Sequence, residues 1–172
     1  YVIRLKGNFI FILEQQDGLK GVFYKNRIIT QCIYEGITEL GCYLLMNTPD
    51  GLIDVLYIDK EQIKLYEKFS SVTSISLKLN FLREKYTNSE VVIVAKNEKY
   101  GLICKGQLIA ECLFDEICAI NADPNCHILG SELSTNPLWF MFRKENKRGI
   151  FSTRGLMTEI VYDDVYVLDW KT

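Results

Sequence analysis

The sequence holds one histidine, His127, and it lies beside Cys126 in the stretch from Asn121 to Pro137. A thiol and an imidazole are the residue types of nucleophilic acyl transfer, in which the base reaches the nucleophile by a hydrogen bond and is itself oriented by a third group. Neighbours in sequence do not meet in that geometry unaided, so an ordinary loop dipeptide is expected here, and an enzyme site near Cys126 and His127 is carried only as an alternative. A single histidine also excludes a His-rich metal centre. The six cysteines would allow 15 pairings if all were bridged, yet no Cys-x-x-Cys occurs. The acidic pairs Asp115-Glu116 and Asp163-Asp164 would point to opposite faces of a strand and so do not converge on one ligand. No glycine-rich phosphate loop, Walker pattern or nucleophile elbow is present. The sequence therefore assigns no catalytic residue, no cofactor and no metal, and the chain is expected not to be an enzyme.

The elements that must position any site come next. The chain has 172 residues, 48% of them apolar, with 20 Lys+Arg against 22 Asp+Glu and a net charge of −2. That is enough apolar mass for one repeat domain with a real core. The basic residues are scattered singly, which argues against nucleic acid and against polybasic membrane docking. The longest apolar runs are about five residues, far short of the roughly 20 that a membrane helix needs. Residue 1 is Tyr, so a fragment of a longer chain is expected. Ile, Val, Phe and Tyr are abundant and Ala is confined to Ala95, Ala110, Ala119 and Ala122, which favours strand over helix.

Internal self-similarity organises the chain. Gly21-Val22-Phe23, Gly101-Leu102-Ile103 and Gly149-Ile150-Phe151 each open a unit. Seven and eight residues on comes an apolar pair (Ile28-Ile29, Leu108-Ile109, Leu156-Met157), thirteen on an aromatic (Tyr34, Phe114, Tyr162), and three further a β-branched residue (Ile37, Ile117, Val165). A worn copy has Asp54-Val55-Leu56, then Phe69 and Val72. Before each anchor a turn former (Asp17, Asp50, Asn97 or Glu145) follows a five-residue apolar run: Phe9 to Leu13, Cys42 to Met46, Val91 to Ala95, Leu138 to Phe142. Such runs suit strands covered on both faces. Each unit then reads as a run strand, a hairpin turn, the glycine strand, a tight turn and a third strand closing on the aromatic. The anchor glycine is expected either to take positive φ in a bulge or to admit a close neighbour, with the aromatic covering it. Asp54 should cost some of that fit. Cys32 and Cys112 occupy the position of Ile160, which makes them packing residues, and free core thiols fit a reducing cytosol.

The units at Lys99-Tyr100-Gly101-Leu102-Ile103 with Phe114-Asp115-Glu116-Ile117, at Lys147-Arg148-Gly149-Ile150-Phe151 with Tyr162-Asp163-Asp164-Val165, and at Lys20-Gly21-Val22-Phe23 with Tyr34-Glu35-Gly36-Ile37 resemble the WG-repeat (KWG) family. The family's Trp is replaced here by Lys20, Ile53, Tyr100 and Arg148. The resemblance implies a bacterial β-repeat array without assigned chemistry that binds other proteins.

The expected fold is all-β. About four tandem three-stranded units, near residues 9–40, 42–77, 91–120 and 138–170, form a twisted sheet array or a partly closed barrel. A short helix is expected in the insertion after Val72, and Glu61 to Phe69 and Leu79 to Tyr86 could each form a helical turn or two. The expected function is a non-catalytic protein–protein interaction module, cytoplasmic, with another protein as partner and no nucleic acid or membrane. Its partner-binding residues are expected in the long connection after the third unit, at Asn121, Asp123, Asn125, Glu132 and Asn136, because insertions in repeat arrays project from one face. The alternative is a glycan or cell-surface ligand domain using Trp139 or Trp170.

Overall fold

The computed structural model describes residues 1–5, 7–59, 62–79, 84–119, 139–152, 155–156 and 158–164. These residues form four antiparallel four-stranded sheets, each a meander in chain order, and none closes into a barrel. The first sheet comprises β1 (Val2–Leu5), β2 (Asn8–Glu14), β3 (Lys20–Tyr24) and β4 (Arg27–Tyr34). The second holds β5 (Gly36–Leu40), β6 (Tyr43–Asn47), β7 (Ile53–Ile58) and β8 (Ile63–Phe69). The third holds β9 (Ser71–Leu79), β10 (Glu84–Lys96), β11 (Lys99–Cys104) and β12 (Gln107–Phe114). The fourth holds β13 (Glu116–Ala119), β14 (Trp139–Lys144), β15 (Lys147–Ser152) and β16 (Gly155–Leu156), with Tyr162 bridged to Arg148.

Each sheet contains the three expected strands and one more. The β-branched residue after the aromatic does not close its own unit. Ile37, Val72 and Ile117 lie on the first strand of the following sheet. The chain turns a corner between aromatic and β-branched residue, and a repeated bond fixes that corner. The amides of Glu35, Ser70 and Asp115 donate to the carbonyls of Asn47, Ala95 and Arg143 at 2.8–2.9 Å.

The anchor glycine is there for close approach. A Cβ on Gly21 would stand 2.8 Å from the Thr30 carbonyl oxygen, and one on Gly101 2.6 Å from that of Ala110. Gly21, Gly101 and Gly149 do not have positive φ. What presses on Gly21 and Gly101 is the bulged backbone of the third strand, where the register shifts between Lys20 and Val22 and between Tyr100 and Leu102. The bulge leaves the next amide without a ladder partner, and a threonine hydroxyl takes it up: Val22 N–H donates to Thr30 Oγ1 at 3.0 Å and Ile150 N–H to Thr158 Oγ1 at 2.9 Å. In the second sheet Asp54 replaces the glycine and gains a role. Its buried carboxylate accepts from the Lys68 amide at 2.8 Å and from the Tyr34 hydroxyl of the preceding sheet at 2.9 Å.

Alternation along the strands gives each sheet two faces, and the core is built from faces stacked in chain order. One face of every sheet, here the leading face, carries the run-strand and glycine-strand residues that look back along the chain. The other, the trailing face, looks forward. Leu5, Ile10, Ile12, Val22, Tyr24 and Tyr34 on the trailing face of the first sheet cluster with Leu44, Met46, Leu56 and Ile58 on the leading face of the second. Tyr43, Val55, Tyr57 and Phe69 then cluster with Val92, Val94 and Ile103. Val91, Leu102, Cys104 and Phe114 cluster with Phe140, Phe142 and Phe151. At the last junction Phe114 lies edge-on to Phe142, with ring centroids 4.7 Å apart.

Polar clips lock the layers. Tyr43 Oη donates to the Glu90 carbonyl at 2.7 Å and accepts from the Gly106 amide at 3.3 Å, while Tyr66 Oη donates to the Gly106 carbonyl at 3.0 Å. Asp115 accepts from Lys99 Nζ and from the Glu145 amide of the next hairpin turn. The same Lys-to-Asp contact recurs between Lys147 and Asp163. Asp115, the acidic residue after its aromatic, thus holds the next hairpin turn.

Three expectations change. No helix is found among the described residues. Ile63, Tyr66 and Phe69 lie on β8, and the spacing of three from Tyr66 to Phe69 arises from a bulge at Lys68, where φ is 67°. The insertion after Val72 continues the sheet as a β9–β10 ribbon pairing Ser76 with Thr87 and Leu79 with Glu84, with a register shift between Asn88 and Val92. Finally, the run Phe9 to Leu13 is covered on one face only: Ile10 and Ile12 are buried while Phe9, Phe11 and Leu13 are exposed.

Candidate functional site

The exposed half of that run belongs to a larger surface. β2 and β3 pair Phe11 with Phe23, and β3 and β4 pair Phe23 with Ile28, so these side chains share the leading face of the first sheet. β1 adds Val2 opposite Phe11 and Arg4 opposite Phe9. Phe9 is 59% exposed, Phe11 45%, Leu13 37% and Ile28 62%. Phe11, Leu13, Phe23 and Ile28 line a shallow, wholly apolar groove. Its floor is ordered by an edge-to-face contact of Phe11 with Phe23, centroids 6.1 Å apart, and the Arg4 guanidinium sits 5.7 Å from the centre of the Phe9 ring at its rim. Single exposed apolar residues are ordinary, but a contiguous exposed apolar face marks a contact surface. None of the four groove residues is titratable, so what the groove offers a ligand is burial.

Several phenols and two thiols elsewhere are shifted upward. Burial, reinforced by the bond to Asp54, raises the Tyr34 phenol above its ordinary value. Burial likewise raises Tyr43, Tyr57 and Tyr66. Burial pushes Cys112 up, and burial together with the Glu116 carboxylate pushes the Cys118 thiol up to about 11. An activated nucleophile needs the opposite shift. Asp115 and Glu116 are held below the usual carboxylate range, chiefly by Lys99 and by Arg143. Among the described residues no group of three or more His, Cys, Asp or Glu side chains is placed to hold a metal. No helix among them is long and apolar enough to cross a membrane.

The sequence-based candidates Asn121, Asp123, Asn125, Glu132 and Asn136 lie outside the described residues, as do Cys126, His127 and Trp170. Trp139 lies on β14, half-buried, on the trailing face of the fourth sheet. Phe9, Phe11, Leu13, Phe23 and Ile28 were not expected as surface residues. Their composition matches runs that are covered elsewhere, so composition alone gave no signal. Comparison of the chain with family models, with characterised proteins and with solved structures finds no match.

Proposed function

We propose that the chain is a non-catalytic protein–protein interaction module made of WG-like β repeats, and that it binds its partner through the leading face of the first sheet. The observation that carries this reading is the ordered apolar groove of Phe11, Leu13, Phe23 and Ile28. That face is aromatic and aliphatic, and contacts at such a surface centre on buried rings. The repeat likeness at Gly101 to Ile117 and Gly149 to Val165 supports the same class of function. Cys32, Cys112 and Cys118 are free thiols, which supports a cytoplasmic setting. The test is affinity capture from source cells with wild type, Phe11→Asp, and a variant in which residues 121–136 are shortened to a four-residue turn. The reading expects capture to survive the shortening and to be lost with Phe11→Asp. Capture that is indifferent to Phe11→Asp contradicts it.

A further inference from the structure

The third strand of a unit carries a bulge that three units build alike. The ladder pairs Val22 with Thr30 and Lys20 with Tyr34 in the first sheet, and Leu102 with Ala110 and Tyr100 with Phe114 in the third. Three residues therefore stand opposite each anchor glycine: Gln31, Cys32 and Ile33 on β4, and Glu111, Cys112 and Leu113 on β12. In the fourth unit the bond of Ile150 to Thr158 and the bridge of Arg148 to Tyr162 leave Glu159, Ile160 and Val161 in the same place. The middle residue is half-buried over the glycine: a Cβ on Gly101 would lie 3.0 Å from Cys112 Sγ, and one on Gly149 2.7 Å from Cγ1 of Ile160. The residue after it stands in solvent, with Ile33 50%, Leu113 50% and Val161 54% exposed. Packing does not ask for an aliphatic side chain that is half in water in every copy. One exposed leucine is ordinary, but the same exposure at one offset in three units is a built feature of the surface.

The feature is most complete on β12. Leu108 is 41% exposed there, and Glu111 stands exposed between Leu108 and Leu113. The third sheet is packed on both faces, and β12 ends its strand order, so its outer edge has no hydrogen-bonded strand beside it among the described residues. Glu111 forms no ion pair among the described residues: Lys99 is held by Asp115 and Lys105 by Glu90, and Lys96, whose charge reaches Cys112, is not paired with it. We propose that the bulged edge of β12 is a docking site for a segment of another protein that carries a Lys or Arg between two apolar residues. Leu108 and Leu113 bury the apolar residues and the Glu111 carboxylate receives the cation. The bulge interrupts the ladder and turns this edge away from strand pairing, so the contact runs through side chains. An unpaired carboxylate between two apolar side chains attracts a basic segment and repels an acidic one, which fixes the chemistry of the occupant. This site is separate from the groove of the first sheet, and it goes beyond the reading of that groove.

The test is an NMR titration of the nitrogen-15-labelled full chain carrying Phe11→Asp, so that the first-sheet groove is spoiled and cannot contribute. The probes are two amidated peptides, Leu-Ser-Lys-Ser-Leu and Leu-Ser-Glu-Ser-Leu, which differ only in the central charge. The lysine peptide is expected to shift the amides from Leu108 to Leu113 and to bind about two- to fivefold more tightly than the glutamate peptide, the range an exposed ion pair supplies. Glu111→Gln should abolish that preference and Glu111→Lys should reverse it, whereas Leu113→Thr should weaken both peptides alike. Glu111 and Leu113 are exposed, so these variants should melt cooperatively as the parent does; if Leu113→Thr does not, Leu108→Thr replaces it. Shifts that leave β12 untouched, equal affinity for the two peptides, or a preference that Glu111→Lys does not change would each overturn the proposal.

Discussion

Replacing Gly106 by Ala should break the junction between the second and third sheets, and the size of the effect follows from geometry. Gly106 ends the β11–β12 turn with φ of 66°, and a Cβ there would lie 2.2 Å from Cδ1, 2.5 Å from Cγ and 2.7 Å from Cε1 of Tyr57. Tyr57 is 2% exposed and packs against Tyr43 at 5.5 Å between ring centroids, so the ring has nowhere to retreat. A left-handed conformation costs a residue with Cβ about 1–2 kcal/mol. Overpacking a core contact costs about 1–3 kcal/mol more. If the turn moves away instead, the bonds of Tyr43 and Tyr66 to Gly106 are lost, at about 1 kcal/mol each. The two routes together span a loss of about 2–5 kcal/mol, a large part of the roughly 5–15 kcal/mol of a typical domain. Gly51→Ala is the control, because Gly51 has φ of 79° with nothing within 4 Å of the added Cβ. It should lose only the conformational share, about 1–2 kcal/mol. Urea unfolding of the two variants at equal protein concentration gives the comparison. Equal losses would refute the claim that Gly106 is fixed by the Tyr57 ring across the junction.

Asp54→Gly restores the repeat's own residue yet should destabilise by about 2 kcal/mol or more in urea, because the Tyr34 hydroxyl and Lys68 amide lose their acceptor; a neutral or stabilising result would show that the carboxylate is not needed. Asp115 is depressed in the folded chain by Lys99 and the Glu145 amide. Its contribution is therefore complete above the ordinary carboxylate range and is lost as pH falls through the depressed value. Asp115→Asn should accordingly flatten the acid limb of a melting-temperature profile while lowering the plateau at neutral pH. Cys118, with its thiol pushed up to about 11 by burial and Glu116, should label slowly with iodoacetamide at neutral pH and rapidly only as pH approaches that value; fast labelling of Cys118 at neutral pH, read by peptide mass, would contradict this.

The repeat was legible because backbone crowding and core packing each demand a particular residue type at a fixed offset. Gly21 and Gly101 admit the third strand's bulge, and Tyr34 and Phe114 fill the layer ahead. Sheet boundaries were less legible. Ile37 and Ile117 follow their aromatics by three residues, and nothing in that spacing reveals that a corner intervenes and the next sheet begins. The Lys68 bulge turned the strand period of two into a spacing of three at Tyr66 and Phe69, which imitates a helix. The open face was hidden for another reason. Phe9 to Leu13 is as apolar as Cys42 to Met46, and which of them meets solvent depends on what precedes each sheet in the stack. Asp54 looked like wear in the pattern because its partners, Tyr34 and Lys68, lie 20 and 14 residues away.

The matched pair Phe11→Asp and Phe140→Asp tests most directly the claim that the sheets stack leading face on trailing face with the first leading face open. The two phenylalanines hold the same register position, opposite Phe23 and Phe151, and differ in that Phe140 is 0% exposed and Phe11 45%. Chemical unfolding at low protein concentration should place Phe11→Asp within about 1 kcal/mol of wild type, as an exposed site. Phe140→Asp buries an unpaired charge and should lose about 4 kcal/mol or more, to the point of losing its cooperative transition. Equal losses in the two variants, or a Phe140→Asp chain that unfolds as wild type does, would contradict the stacking order on which the account rests.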